Sequence, residues 1–107
     1  LGPGERLLFA NNGSAGYSGA TTPDVTYTFG LADECGVAID DGAGVVFDSL
    51  GTLAASTLYE GTPRAPLSDN ADRAHSRRMS GATLIDTNDN ASDFETIMPS
   101  TPASGAP

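Results

Sequence analysis

The chain has 107 residues, a length that allows at most one domain with a modest core. Its 14 Asp and Glu residues outnumber its five Arg residues, for a net charge of -9, and this balance repels a phosphate backbone and disfavours nucleic acid as a partner. No run approaches the roughly 18 consecutive apolar residues that a membrane-spanning helix needs. The single Cys35 cannot close a disulfide within the chain, and its setting favours a small apolar residue over a reactive thiol.

Short apolar runs separated by glycine and proline indicate an all-β domain. Residues 6–10 predict a first strand after a Gly-Pro-Gly turn. Residues 25–29 alternate, with Val25, Tyr27 and Phe29 on one face, and predict a half-buried strand.

The clearest local pattern is a β-hairpin. Residues 35–40 and 45–50 are apolar runs on either side of a turn that contains Asp41 and Gly42, and glycine supplies the positive φ that such turns need. We expect Val37 and Ile39 to share one face of this hairpin and to point into the core.

The second half of the chain is less regular. Residues 51–72 predict an irregular loop, since Pro63 and Pro66 interrupt any regular structure. Residues 73–79 predict a polar edge strand. The Pro/Ser/Ala-rich residues 99–107 predict a linker that follows a domain formed by residues 1–98.

The stretch DTNDNASDF, residues 86–94, carries the candidate metal ligands. Its side-chain oxygens suit Ca²⁺, a hard cation, and the candidate set is Asp86, Asn88, Asn90 and Asp93. An EF-hand loop would need Gly where Ala91 stands and Glu where Ile97 stands. We therefore favour a series of Asx-turns that lead into a buried Phe94, with Ca²⁺ binding as the alternative.

One basic cluster is present, formed by Arg73, His75, Arg77 and Arg78. It could hold a phosphate or an acidic partner. Because the surrounding chain is strongly acidic, we favour a solvated edge strand whose Arg side chains pair with nearby Asp.

No pattern indicates catalysis. The segment Gly16-Tyr17-Ser18-Gly19 fails the nucleophile-elbow pattern because Ala20 replaces its last glycine. The adjacent Asp40 and Asp41 lie in a predicted turn, where exposure to solvent should keep the pKa values of their carboxylates ordinary. We expect no enzyme and no cofactor other than the Ca²⁺ alternative.

Three segments in order resemble the lamin tail domain of bacterial multidomain proteins. They are GVAIDDGAGVVFD at 36–48, EGTP at 60–63 with NADR at 70–73, and DTNDNASDF at 86–94 with PSTP at 99–102. The segment PGERLL at 3–8 is similar to a strand of that family. The resemblance implies an immunoglobulin-like β-sandwich with little or no helix. It also implies that the family's opening strands precede Leu1. Residues 1–98 would then form a partial, N-terminally truncated domain with unpaired edges.

The expected function follows from this resemblance. It implies a non-catalytic accessory module of a larger secreted or cell-surface protein, which recognises a protein or surface partner and pairs strand edges with a neighbouring domain or copy. Two alternatives remain: a Ca²⁺-stabilised spacer, and an accessory domain of a secreted nuclease or phosphatase that contacts nucleic acid through residues 73–78.

Overall fold

A computed structural model describes residues 2–105, and these residues form an all-β chain with one short helix. The eight strands are β1 (Phe9–Asn11), β2 (Val25–Tyr27), β3 (Gly36–Asp40), β4 (Val46–Gly51), β5 (Ala74–Arg77), β6 (Met79–Ser80), β7 (Thr83–Leu84) and β8 (Phe94–Ile97). The helix α1 (Asn90–Asp93) has a single turn and directly precedes β8. The described residues contain no helix with the length and apolar character needed to cross a bilayer.

The strands pair two by two. β1 runs parallel to β2, whereas β3–β4, β5–β8 and β6–β7 are antiparallel. The chain divides into two units, one made of residues 2–31 with 101–105 and the other of Ala32–Ser100. The all-β class is confirmed, while the immunoglobulin-like sandwich stays a prediction.

The smaller unit is built around β1 and β2. Ala10 of β1 is buried, and the Asn11 side chain accepts a hydrogen bond from the Gly13 N–H and donates one to the carbonyl of Phe29. Gly105, from the segment expected to be a linker, forms an antiparallel bridge with Arg6. Residues 1, 106 and 107 of the predicted domain and linker lie outside the described residues.

The second predicted strand is shorter than expected, because β2 ends at Tyr27. The Tyr27 and Phe29 rings lie with centroids 4.8 Å apart, yet Val25 and Phe29 are exposed. The prediction of a half-buried apolar face was therefore wrong for these two residues.

The hairpin is confirmed, with β3 and β4 paired from Gly36–Gly51 to Asp40–Val46. Its turn is held by Asp41, whose Oδ1 accepts hydrogen bonds from the N–H groups of Ala43 and Val45 at 2.8 and 3.0 Å. These N–H groups keep the pKa of the Asp41 carboxyl below its ordinary value, the bond from Val45 contributing most. Gly42 and Gly44 adopt φ of 76° and 99° in this turn, a region that favours glycine.

The burial expected for the hairpin was wrong. Val37 and Ile39 share a face, but both are exposed, Ile39 at 68%. In residues 2–105 the buried apolar residues are Ala10 and Phe94, whereas Asn90 and Asp93 are fully buried. No third strand covers the hairpin in the described residues, so its apolar side chains remain at the surface.

The other local expectations fit. Between Gly51 and Ala74 the chain forms no helix or strand, as the prolines predict. The polar strand predicted at 73–79 corresponds to β5, which pairs only with β8.

Candidate interaction surface

The β3–β4 hairpin presents a row of apolar side chains at the surface. On β3 these are Val37 and Ile39, and around the start of β4 they are Val45, Val46 and Phe47. Phe47 lies near the register shift between Ile39 and Asp40 and is 66% exposed. Val46 lies opposite Asp40 and therefore not on the face of Val37 and Ile39. Exposed apolar residues concentrated on one hairpin in this way mark a candidate site of interaction.

One edge of the hairpin is closed by a side chain. The Asn90 Nδ2 donates to the carbonyl of Ser49 at 2.9 Å, and the Asn90 Oδ1 accepts from the Gly51 N–H at 2.8 Å. A neighbouring strand would make the same two bonds through its peptide groups. Arg64 N–H donates to the Gly51 carbonyl at 2.9 Å, which completes the outer edge of β4 at this end.

The opposite edge, on β3, is open. Thr52 N–H donates to the Cys35 carbonyl, so this pair is a hydrogen-bonded pair of the antiparallel ladder. Since such pairs alternate with non-hydrogen-bonded ones, Val37 and Ile39 also bond to β4. The N–H and C=O groups of the alternate residues Gly36, Ala38 and Asp40 therefore point away from β4. Within residues 2–105 they make no hydrogen bond to another backbone group. We call this row the open edge.

A largely apolar groove lies over the hairpin face that carries Val37 and Ile39, and both β3 and β4 line it. It has a volume of about 160 Å³ and is lined mainly by Val37, Ile39, Leu50 and the ring of Phe94. Phe94 is buried as the anchor of the loop that precedes it, as the sequence predicted. The ring forms one wall of the groove, and the hairpin forms the other.

Arg77 lies at the end of this groove, packed among carboxylates. Its guanidinium stacks on the Phe94 ring at 4.4 Å and pairs with Asp48 at 2.5 Å, and the side chain is 11% exposed. Asp86 and Asp93 approach it at 3.6 and 3.7 Å, and its Nη1 donates to the Ile85 carbonyl. The network fixes the hairpin beside the β5–β8 sheet.

Glu60 adds a further negative charge to this region. Its pKa is raised from the ordinary 4.5, first by burial and then by the charges of Asp48 and Asp86, while Arg77 acts in the opposite direction. Its Oε2 is buried and accepts no hydrogen bond from residues 2–105. Four carboxylates, which we call the carboxylate cluster, therefore share one guanidinium: Asp48, Glu60, Asp86 and Asp93.

Asp93 has the most complete set of donors in the cluster. Its carboxylate accepts from the Thr87 hydroxyl at 2.6 Å, the Thr87 N–H at 2.8 Å and the Asp89 N–H at 3.3 Å. These contacts, the Thr87 hydroxyl first, hold its pKa below the ordinary 3.8. Asp93 is therefore a buried carboxylate that stays charged.

The four predicted calcium ligands have separate roles here. Asp86 Oδ1 accepts from the Asn88 N–H in an Asx-turn, and Asn88 adopts φ of 57°. The carboxamide oxygen of Asn90 accepts from Gly51 and Glu60, and Asp93 accepts from Thr87 and Asp89. Within residues 2–105, no three His, Cys, Asp or Glu side chains are grouped as metal ligands. Calcium binding stays a prediction.

The predicted basic patch is divided. Arg73 pairs with Asp69 at 3.0 Å, and Arg78 Nε donates to the Phe94 carbonyl at 3.4 Å. His75 Nδ1 is buried without a hydrogen bond in the described residues, and burial, with help from the charge of Arg64, lowers its pKa from 6.5. Arg77 joins the carboxylate cluster. Arg73 and Arg77 both pair with aspartates, as the favoured interpretation expects, but Arg77 is only 11% exposed and is therefore not solvated. A binding role for the patch stays a prediction.

Sequence reasoning missed the roles of Asn90, Glu60 and Asp48. Asp48 carried a signal, because strand alternation places it on the same face as Leu50, where a carboxylate needs a partner. Nothing local marks Asn90 as the residue that closes β4, 39 and 41 positions earlier in the chain.

Comparisons of this chain with protein-family models, curated proteins and solved structures give no match.

Proposed function

We propose that this chain is a non-catalytic interaction module that binds a protein or surface partner through the β3–β4 hairpin. The ordered set of segments that resembles the lamin tail domain supports an immunoglobulin-like accessory domain of a larger secreted or cell-surface protein. The observation that carries the proposal is the row of exposed apolar side chains beside the open edge.

Physical chemistry favours a covered hairpin in the working state. Burying an exposed Ile or Phe side chain contributes about 1.5–3 kcal/mol, and Ile39 and Phe47 are each about two-thirds exposed. An edge strand with free N–H and C=O groups is also a template for pairing with another chain. Both features are satisfied together when a partner covers the hairpin.

The basic strand supports this proposal more than a nucleic-acid function. Arg77 is 11% exposed and surrounded by carboxylates, so its charge is already neutralised within the unit. Affinity for a phosphate backbone depends on Lys and Arg charges that are free to replace counterions. The hairpin is therefore the better supported binding surface.

The test uses a photo-crosslinking amino acid at Ile39, with the same amino acid at Leu84 as the control. The two sites have similar exposure, 68% and 59%, and Leu84 lies on β7, which pairs with β6 and not with the hairpin. Irradiation in cells of the source organism should give an adduct of defined mass at position 39 and not at 84. Equal adducts at both positions, or none at 39, would contradict the proposal.

A further inference from the structure

We propose that the open edge of β3 binds an extended segment of a partner protein as an added antiparallel strand, in which apolar residues alternate with Lys or Arg. This inference rests on the proposed function and names the chemistry of the partner. Strand addition of this kind takes its affinity from main-chain hydrogen bonds and its specificity from pockets for alternate side chains.

The backbone of β3 is suited to one more strand. Gly36, Ala38 and Asp40 direct their N–H and C=O groups away from β4, and no backbone group in residues 2–105 bonds to them. Proteins usually protect such edges with Lys, Pro or a bulge in the edge strand. The register shift here falls at Asp40, which leaves Gly36 to Ile39 regular.

The groove selects apolar residues at alternate positions. Side chains of an added strand that lie on the face of Val37 and Ile39 would enter the groove from its β3 side. An apolar cavity of about 150 Å³ can hold a benzene-sized group. The groove, at about 160 Å³, therefore accepts one side chain the size of Val, Leu or Phe.

The charges around β3 select basic residues at the other positions. An acidic pair at 33–34 precedes the strand, and a second pair at 40–41 includes its last residue, Asp40. Asp40 lies on the face opposite Val37 and Ile39, which is the face that the alternate side chains of an added strand would share. Opposite charges on neighbouring strands stabilise their pairing, and like charges oppose it. A second copy of this chain brings the same charge of -9, so it fits the surface less well than a basic segment.

The probe is a synthetic peptide in which lysine alternates with valine over seven positions, with blocked ends. Calorimetric titration into the chain at low salt should show 1:1 binding that weakens as salt is added. A peptide with glutamate in place of lysine should bind at least tenfold more weakly. Equal binding of the two peptides would overturn the assignment of a basic partner.

Backbone methylation of the peptide tests the edge directly. In the proposed pairing, the lysine amides face β3 and the valine amides face away. N-methylation of the lysine amides should weaken binding at least tenfold, whereas the same change at the valine amides should weaken it less than threefold. Equal weakening by both changes would show that the peptide does not add as a strand.

Two variants of the chain complete the test. Ala38→Pro removes one N–H of the open edge but no bond to β4, and Pro is tolerated where an edge N–H faces solvent. It should lose at least tenfold in peptide affinity while the Leu50 amide stays protected from hydrogen exchange. Ile39→Ser leaves the backbone intact and should weaken binding at least fivefold, whereas Leu84→Ser should not change it. Unchanged affinity in both β3 variants would overturn the site.

The remaining outcomes separate this inference from the proposed function. Sedimentation that shows a dimer disrupted by Ile39→Ser would identify a second copy as the occupant and overturn the basic-strand inference. An adduct at position 39 in the crosslinking experiment, together with no binding of the lysine–valine peptide, would overturn the inference alone. Absence of that adduct would overturn the proposed function.

Discussion

The loop that leads into β8 and the β3–β4 hairpin belong to the same unit, yet they bury opposite kinds of side chain. In the loop, Asn90 and Asp93 are fully buried and each makes several hydrogen bonds. In the hairpin, Ile39 and Phe47 stand mostly in solvent. Buried polar groups with complete hydrogen bonding define one arrangement of the chain, whereas an exposed apolar face adds little to stability until it is covered. The loop therefore supplies buried, hydrogen-bonded contacts, whereas the exposed hairpin face is the surface proposed for recognition.

The largest expected effect is on the loop side of this comparison. Asn90→Ala removes the acceptor for the Gly51 and Glu60 N–H groups and the donor to the Ser49 carbonyl. Leaving such buried groups unpaired should lower the free energy of unfolding by roughly 2–4 kcal/mol. Urea denaturation measures this, with Asn88→Gly as the control, because glycine accepts the positive φ of that exposed position. If Asn90→Ala lowered the free energy of unfolding no more than Asn88→Gly does, the Asn90 contacts would not be what holds β4.

Arg77 comes next. Arg77→Met keeps much of the packing against Phe94 but leaves the carboxylate cluster without its cation. We expect a loss of roughly 1–3 kcal/mol in urea denaturation, less than for a fully buried pair because Asp48 and Asp86 are partly exposed. The matched change Arg73→Met breaks the exposed pair with Asp69 and should cost less than about 0.5 kcal/mol. If both variants lowered the free energy of unfolding equally, Arg77 would contribute no more to stability than the Arg73–Asp69 pair does.

The pH dependence of Asp93 sharpens the same comparison. Because the folded state holds its pKa below 3.8, its contribution is complete above that pH and is lost as the pH falls through the folded-state value. Asp93→Asn should lower the melting temperature by several degrees at pH 7, and the difference from the parent chain should shrink below pH 3.8. Thermal unfolding between pH 2 and 7 checks this, with Asp69→Asn as the exposed control. A difference that is constant with pH would show that the charge of Asp93 is not involved.

Glu60 should behave in the opposite way. Its pKa in the folded state is raised above 4.5, so its charged form opposes folding at neutral pH and protonation relieves this as the pH falls. Glu60→Gln should therefore raise the melting temperature at pH 7 by a few degrees, and the gain should fade towards pH 4.5. Thermal scans at pH 7 and 4.5 measure both values. A lower melting temperature at pH 7 would indicate that Glu60 stabilises the cluster.

The smallest effect belongs to the hairpin side. Ile39→Ser should change the free energy of unfolding by less than about 0.5 kcal/mol, since its side chain is already mostly hydrated in the isolated chain. Urea denaturation of this variant, beside Phe94→Ala as the buried apolar reference, gives the contrast. A loss of several kcal/mol for Ile39→Ser would mean that the hairpin face supports the fold itself.

Local patterns were sufficient for the parts of the fold that depend on neighbouring residues. The hairpin follows from two apolar runs around Asp41 and Gly42, the irregular stretch from its prolines, and the turns before Phe94 from closely spaced Asp and Asn. Strand alternation also predicted that Val37 and Ile39 share one face, and they do. Whether that face is covered depends on what packs against it, and alternation carries no information about that.

The candidate site depended on contacts distant in sequence. Asn90 reaches β4 across about 40 positions, and Arg77 pairs with carboxylates from two separate segments, β4 and the stretch 86–94. A carboxamide that replaces a strand has no local signature, because Asn and Asp side chains also form Asx-turns, as Asp86 does four positions earlier. The stretch 86–94 was therefore assigned its turns correctly, while its role as a clamp on the hairpin was not foreseen.

The carboxamide that occupies the outer side of β4 also limits assembly. A sheet with two free sides can extend indefinitely by repeated addition, which is the route to fibrils. Here the Asn90 side chain occupies the outer side of β4 at Ser49 and Gly51. If the β3 edge binds a partner strand as proposed, we therefore expect addition on that side alone, with one partner strand for each chain.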